Sequence, residues 1–533
     1  MKRYLLGQRA SVMLWFVPLL SLLAGLILYG GPALAQNSGW REPVLISDAE
    51  LRSWFPDITV DVTGRVHVIY DGAQPVSEEL SEDRILPAVM YTVWEEEAGW
   101  RQPNDLHLGR RGNIFRPAIA ADRSGYLHVI AKRTGAVSEL DYRRASAEAG
   151  YSAQSWSRHV LDRGGIYMSD VAVDSHGRIH VVYEKWVPFE EPLITEDGDR
   201  VTELSDVFYR RSVDHGKTWT EPVNLSRSPR VGSYRVQISV DGSDVIHVTW
   251  DEGFDRWALY GTPRSGRYIS SVDGGQTWTA PAYFYGPERT NAQTAAASDN
   301  RGSVLVVWRA TSIDRVYYAW SADGGASWSD EQPIPGFMAR QYNDTIFDAY
   351  DLAADSAGNI HLVAVGGRAL ASPEEAADVP LGVYHLVWDG ETWSEPEPVQ
   401  VYEVDSGFPE YPKLAISEGN QLHLAWFLRD QQFGGNQAIY RIFYSRSQSD
   451  APRQPLEPTL TPTPTSTPTS APTPSPTAIP WPTLEAPSSD TPSGLYTDRD
   501  ETLRLFTALL PVGVLLLVFW GARRGWFRRL LSR

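Results

Sequence analysis

The sequence predicts an all-β fold: a β-propeller of seven four-stranded blades, followed by a disordered stalk and a C-terminal transmembrane helix. Three observations predict the propeller. A segment of the form Asp-x-x-Gly-x-apolar-His recurs between Trp40 and Asp450, its last positions 52 to 67 residues apart. A second segment, Ser-x-Asp-x-Gly-x-Thr/Ser-Trp, occurs three times among these repeats. A blade-ending pattern, Trp40-Arg41-Glu42-Pro43, stands before the first repeat and has no blade of its own. Self-similarity at such a period, long enough for four strands and their turns, marks a propeller or array.

The first segment appears as Asp61/Gly64/His67, Asp122/Gly125/His128, Asp174/Gly177/His180 and Asp355/Gly358/His361. Weaker copies are Asp241/Asp244/His247, Asp299/Gly302/Leu305 and Ser417/Asn420/His423. Asp and Gly suit a tight turn, because Asp can accept backbone N–H groups and Gly can take positive φ. Pro117-Ala118-Ile119-Ala120-Ala121 before such a turn reads as a first strand, and Ile179-His180-Val181-Val182-Tyr183 after it as a second. The second is nearly continuous in apolar residues, as for a strand buried on both faces. A Tyr-rich third strand follows, as in Val316-Tyr317-Tyr318-Ala319-Trp320. Six of the 11 His share one strand position, and an active-site His does not recur once per blade, so these are expected to be structural.

The second segment comprises Ser212, Asp214, Gly216 and Trp219, then Ser271, Asp273, Gly275 and Trp278, then Ser321, Asp323, Gly325 and Trp328. A degenerate copy runs from Asp389 to Trp393. It reads as a hairpin turn in which Asp accepts N–H groups, Gly permits the turn and the Trp face packs between strands. A fourth strand is expected to start at the Trp and reach a Pro, as in Trp100/Pro103, Trp219/Pro222, Trp278/Pro281 and Trp393/Pro396. The seventh repeat lacks this ending, so residues near Trp40 to Ser47 are expected to supply its outer strand and close the ring.

This hairpin motif resembles the Asp box of sialidases, and the chain is similar to that family of Asp-box propellers. The resemblance implies architecture first, and it keeps a six-bladed design open as the alternative count. It implies a site on the face away from the Asp boxes, where three arginines grip a carboxylate, a Tyr–Glu pair is the nucleophile and an Asp is the acid/base. Phe115-Arg116-Pro117 is similar to the family's Phe/Tyr-Arg-Ile-Pro segment without the Ile, and lies in the second repeat rather than the first. Arg235, Arg309, Arg368 and Arg429 are the candidates to complete an arginine cluster, and no Tyr–Glu pair can be assigned. The mouth also draws Trp54, Asp57, Tyr167, Asp170, Tyr234, Tyr350 and Tyr411 from first-strand starts, and Asp251 from a second-strand end. Aromatic faces with flanking polar groups suit sugar binding.

Composition narrows the function classes. The chain has 533 residues, a net charge of −18 and no Cys. The charge excludes a nucleic-acid partner, which needs a basic face. The missing Cys excludes disulfides, thiol nucleophiles, Cys-ligated zinc and a lipidated N-terminus, and export without disulfides fits a bacterial surface. No phosphate loop and no His-Glu-x-x-His occur, so no cofactor or metal is expected; Glu196-Asp197-Gly198-Asp199 reads as a solvated acidic loop rather than a calcium site.

Both ends point to a membrane. Lys2, Arg3 and Arg9, an apolar run and Ala33-Leu34-Ala35 read as a signal peptide over 1–35, with an uncleaved anchor as the alternative. The propeller is expected over 36–450 and a Pro/Thr/Ser-rich stalk, of a composition that suits O-glycosylation, over 451–502. A transmembrane helix is expected over 503–522, and a basic tail, kept cytoplasmic by its arginines, over 523–533. Together these predict a membrane-anchored, extracytoplasmic, non-catalytic module for a glycan or protein ligand; the alternatives are an exo-acting glycosidase of sialidase type and a purely structural surface protein.

Overall fold

The computed structural model describes residues 39–457 except for stretches at 78–83, 111–112, 136, 195–199, 229–230, 254–262, 288–290, 341–349, 369–380, 404–406 and 430–438. The chain divides into two units, Met1–Thr461 and Pro462–Arg533. The second unit lies outside the described residues, and so do the leader, the segment 503–522, the basic tail and the acidic loop 196–199. Among the described residues no helix is long and apolar enough to cross a membrane.

Seven antiparallel sheets follow one another along the chain. The repeats generate them as the sequence predicts. In blade 5 the first strand is Asn291–Ser298, the second Val304–Ala310, the third Arg315–Ser321 and the fourth Gln332–Pro333. All seven residues of that second strand are buried, which is why the sequence there is continuously apolar rather than alternating. The count is seven, and the last blade is closed from the other end of the chain. Its strands Phe408–Ser417, Gln421–Arg429 and Tyr440–Gln448 are completed by Val44–Leu45, with Val44 opposite Tyr444 and Leu45 opposite Phe443. An open sheet edge between the chain ends is thereby covered.

The fourth strands begin later than expected. They start at Val223, Ala282, Gln332 and Glu397, several residues beyond Trp219, Trp278, Trp328 and Trp393. Trp219, Trp278 and Trp328 stand outside the strands and serve the neighbouring blade, while Trp100 keeps the expected strand position in Gly99–Trp100. The Trp ring meets, edge-on, an aromatic ring on the third strand of the preceding blade. The pairs are Tyr444–Trp100, Tyr91–Trp156, Tyr142–Trp219, Tyr209–Trp278, Tyr268–Trp328, Tyr318–Trp393 and His385–Trp40, at interplanar angles of 70–79° and centroid distances of 4.8–6.2 Å. All seven joints use it, and Trp40 serves the joint that closes the ring. Edge-to-face pairs contribute about 0.5–1.5 kcal/mol each beyond their buried area.

The recurring His belongs to the same joints. Nδ1 of His67, His128, His180, His247 and His423 lies 2.7–2.8 Å from the hydroxyl of Tyr91, Tyr142, Tyr209, Tyr268 and Tyr444 respectively. Nε2 of His128, His180 and His247 faces the turn carboxylates Asp122, Asp174 and Asp241 at 3.0–3.3 Å. Each relay thus links the Asp-x-x-Gly turn to the Tyr on which the next Trp rests. Burial opposes the Asp174 charge, but bonds from His180 and Arg178 prevail and hold the carboxyl at about 2. In the intact hairpins the carboxylate also works as predicted. Asp273 accepts the Gln276 and Thr277 N–H groups at 2.9 Å and the Thr277 hydroxyl at 2.6 Å.

Candidate functional site: the mouth opposite the hairpin turns

Counting back from each turn residue locates the mouth. Four residues before it, on the seven first strands, stand Asp57, Ala118, Asp170, Gln237, Ala295, Asp351 and Lys413. Three of these carboxylates clamp the next blade. Asp57 accepts the Ile119 N–H at 2.7 Å, Asp170 the Ile238 N–H at 3.0 Å and Asp351 the Leu414 N–H at 2.8 Å. Lys413 is buried, its ammonium 5.5 Å from the Tyr411 ring centre, and its charge acts on all three. Burial opposes its charge, yet Asp351, Tyr411, Asp57 and Asp170 together hold it charged well above its ordinary value. Burial pushes Asp57 up to about 7 against the pull of Lys413, and raises Asp170 and Asp351 in the same way.

Two residues earlier the first strand is kinked. Phe55, Arg116, Arg235, Gln293 and Tyr411 all have positive φ, between 45° and 63°. None is Gly, and each such conformation costs about 1–3 kcal/mol unless its surroundings enforce it. Carboxylates at second-strand ends enforce three of the kinks from the preceding blade. Asp71 accepts the Phe115 N–H at 2.9 Å, Glu184 accepts the Arg235 N–H, and Asp251 accepts those of Gln293 and Thr294 at 2.7 and 3.0 Å. A hydrogen bond to a buried charge contributes about 1.5–3 kcal/mol, enough to offset one kink. Burial raises Asp71 to about 7 and also raises Asp251, against the bonds and nearby arginines that lower them.

The predicted arginines have separate partners. Arg235 pairs with Asp251 at 3.2 Å, and Arg309 with Asp314 at 2.5 Å. Arg429 pairs with Glu410, which also receives Arg340 at 2.7 Å. Arg368 lies exposed, donating to the Pro396 carbonyl at 3.3 Å. Arg116 differs: its guanidinium lies 4.0 Å from the Tyr167 ring centre and 4.9 Å from that of Phe55, and donates to the Tyr167 hydroxyl at 2.8 Å. The Lys132 ammonium stands 5.5 Å over the same Tyr167 ring. Trp54 is covered by the Arg52 guanidinium at 3.7 Å, Tyr234 and Tyr350 are buried, and Tyr411 meets Phe55 edge-on at 5.4 Å.

The structure therefore brings together Arg116 with Tyr167, Asp57 with Asp170, and Arg235 with Asp251. Asp251 and the axial aspartates are inter-blade clamps. Lys413 and Asp351 stand at first-strand starts like the predicted mouth residues, and a fixed offset from each turn residue marks both. Arg340 had no such marker, because it follows Phe337–Ala339, a short strand that the other repeats lack. At the turns of blades 3 and 4, Asp174, His176 and Asp244 bring ligand-type atoms within 4.8 Å of one another. There Asp244 is already held by the Ser175 hydroxyl at 2.6 Å and by His176 at 2.8 Å.

Seven sheets and a ring closed by the Val44–Leu45 strand settle the architecture. The chain is a seven-bladed β-propeller. No protein-family model and no curated protein sequence matches it. Among solved structures it is similar to a protein of unknown function from Dyadobacter fermentans, at 15% identity over 76% of this chain and 98% of that one, with a TM-score of 0.42. It is similar to the NanB sialidase of Streptococcus pneumoniae at 12% identity over 77% of this chain and 70% of that one, TM-score 0.40. An ulvan lyase bound to -[GlcA(1-4)Rha3S]- gives 13% identity over 75% of this propeller chain and 95% of its own, TM-score 0.46. The propeller assignment rests on the sheets and joints above rather than on these similarities.

Proposed function

We propose that this chain is a membrane-anchored, extracytoplasmic propeller that binds a glycan at the kinked mouth and does not cleave it. The pairing of the arginines carries the reading. Arg235, Arg309 and Arg429 already hold Asp251, Asp314 and Glu410, so a carboxylate ligand would have to displace protein carboxylates, two of them fully buried, to reach them. Arg116 rests instead on aromatic rings, and Tyr167 beside it is half-buried. A ring face next to a donor fork is what the apolar face and hydroxyls of a sugar fit. The apolar segment 503–522, acidic residues before it and arginines after it support the anchor and its orientation.

The test is binding of the full-length chain to a glycan array. Arg116→Ala and Tyr167→Ala are each expected to weaken binding by about tenfold or more, with the melting temperature little changed. Undiminished binding by both variants would remove the site from the mouth.

A further inference from the structure

The joint that closes the ring differs from the others in its hydrogen count. In four joints the chain of bonds is carboxylate or hydroxyl, His, Tyr, and in blade 1 His67 Nε2 stands 3.2 Å from Asp61 in the same arrangement. A neutral His supplies one proton and the Tyr hydroxyl the other, so two bonds are made by two donors. In blade 6 the Tyr position holds His385. Four groups then stand in line: Asp355 to His361 Nε2 at 3.1 Å, His361 Nδ1 to His385 Nε2 at 2.8 Å, and His385 Nδ1 to Glu397 at 3.1 Å. The two imidazoles stack at 5.1 Å and 6°. Three bonds need three protons, and two neutral imidazoles carry two. With only two, one lone pair must face another across a buried contact.

The other end of Glu397 holds the closing strand. Its second oxygen accepts the Gly39 N–H at 2.7 Å, and the Trp40 ring lies edge-on against His385 at 5.3 Å. Among the described residues, the groups that reach this line from the last blade are neutral: the Gly39 amide, the Trp40 indole and the Ser449 hydroxyl, 3.2 Å from Asp355. Within blade 6 the Asn359 amide also donates to Asp355 at 3.1 Å, and from blade 5 the Arg301 guanidinium lies against Gly358 in the same turn. The charged groups acting on His385 are Glu397 and His361.

We propose that the closing joint holds one proton that the Tyr joints do not need, and that this proton keeps Glu397 in place to clasp Gly39. The proton belongs to the four-group line rather than to one ring. Burial pulls the His385 imidazole below its ordinary value, while Glu397 pulls the other way. Against burial stands the alternative, a lone pair turned on a carboxylate, which Glu397 relieves only by swinging away and releasing the strand. As the pH rises the proton is lost and the closure loosens; the sign is that of a folded state binding one proton more than the opened one.

The experiment is hydrogen exchange on the full-length chain between about pH 5 and pH 9, read as protection factors for residues 40–47, which include the Arg41 and Ile46 amides bonded to Arg446 and Ile442. In the natural chain protection should fall with rising pH, by up to about tenfold per pH unit through the loss of the proton. His385→Tyr restores the relay of the other joints, and Glu397→Gln gives His385 Nδ1 an amide donor; both should make the profile flat. A flat natural profile, or an unchanged slope in Glu397→Gln, would overturn the proposal even if His385→Tyr does not fold.

Discussion

Gly275→Ala should cost about 3–5 kcal/mol of folding stability, far more than a Gly→Ala change in an ordinary turn. Two effects add. Gly275 has φ of +78°, where a side chain is strained by about 1–2 kcal/mol. A Cβ there would also overlap the Tyr209 hydroxyl of the preceding blade. Tyr209 cannot retreat cheaply, because it bonds His180 at 2.7 Å and carries Trp278 at 4.9 Å. Gly302 supplies the control: its φ is +98°, but nothing lies within 4 Å of a Cβ built on it. Gly302→Ala should show only the backbone part, about 1–2 kcal/mol. Denaturant unfolding of both variants measures the difference, and equal losses would mean that the hairpin glycine is not a docking surface for the neighbouring blade.

Lys413→Met should have a comparable effect that depends on pH. The substitution removes the ammonium whose charge acts on Asp57, Asp170 and Asp351. Leaving buried carboxylates without their compensating charge costs about 3–5 kcal/mol. Burial already raises Asp57 to about 7, and losing Lys413 raises it further. A carboxyl with a raised folded value binds protons that the unfolded chain has released, so its stabilising effect is present in acid and lost as the pH rises. The variant should therefore be strongly destabilised near about pH 8 and close to the natural protein near about pH 5. A loss equal at both values would show that Lys413 acts by packing alone.

The same signs apply to the natural chain. Asp57 and Asp71, both raised to about 7, favour the fold on the acid side. Asp174, Asp214 and Asp323, each lowered to about 2, remove stability once the pH falls below the ordinary carboxylate range.

The ring was legible in the sequence because its joints repeat. The shared His position, the hairpin Trp and the stray Trp40 each recur with the blade, and together they predict seven blades closed by the N-terminal strand. The mouth was only partly legible. The kinks at Phe55, Arg116, Arg235, Gln293 and Tyr411 carry no Gly or Asn to announce them, because carboxylates distant in sequence impose several of them. For the same reason Asp251 reads from sequence as a ligand contact, while in the structure it bonds the next blade and Arg235 of its own. His385 carries no local signal either: only its alignment with six tyrosines shows that the closing joint is chemically different.

Release of fluorophore from a fluorogenic sialoside by the full-length chain tests the central claim, that the mouth binds without cleaving, most directly. The predicted result is no turnover above the buffer rate, with glycan binding retained and sensitive to Arg116→Ala. Steady turnover that is abolished by Arg429→Met would contradict it, since it would make that arginine a grip on substrate rather than the partner of Glu410.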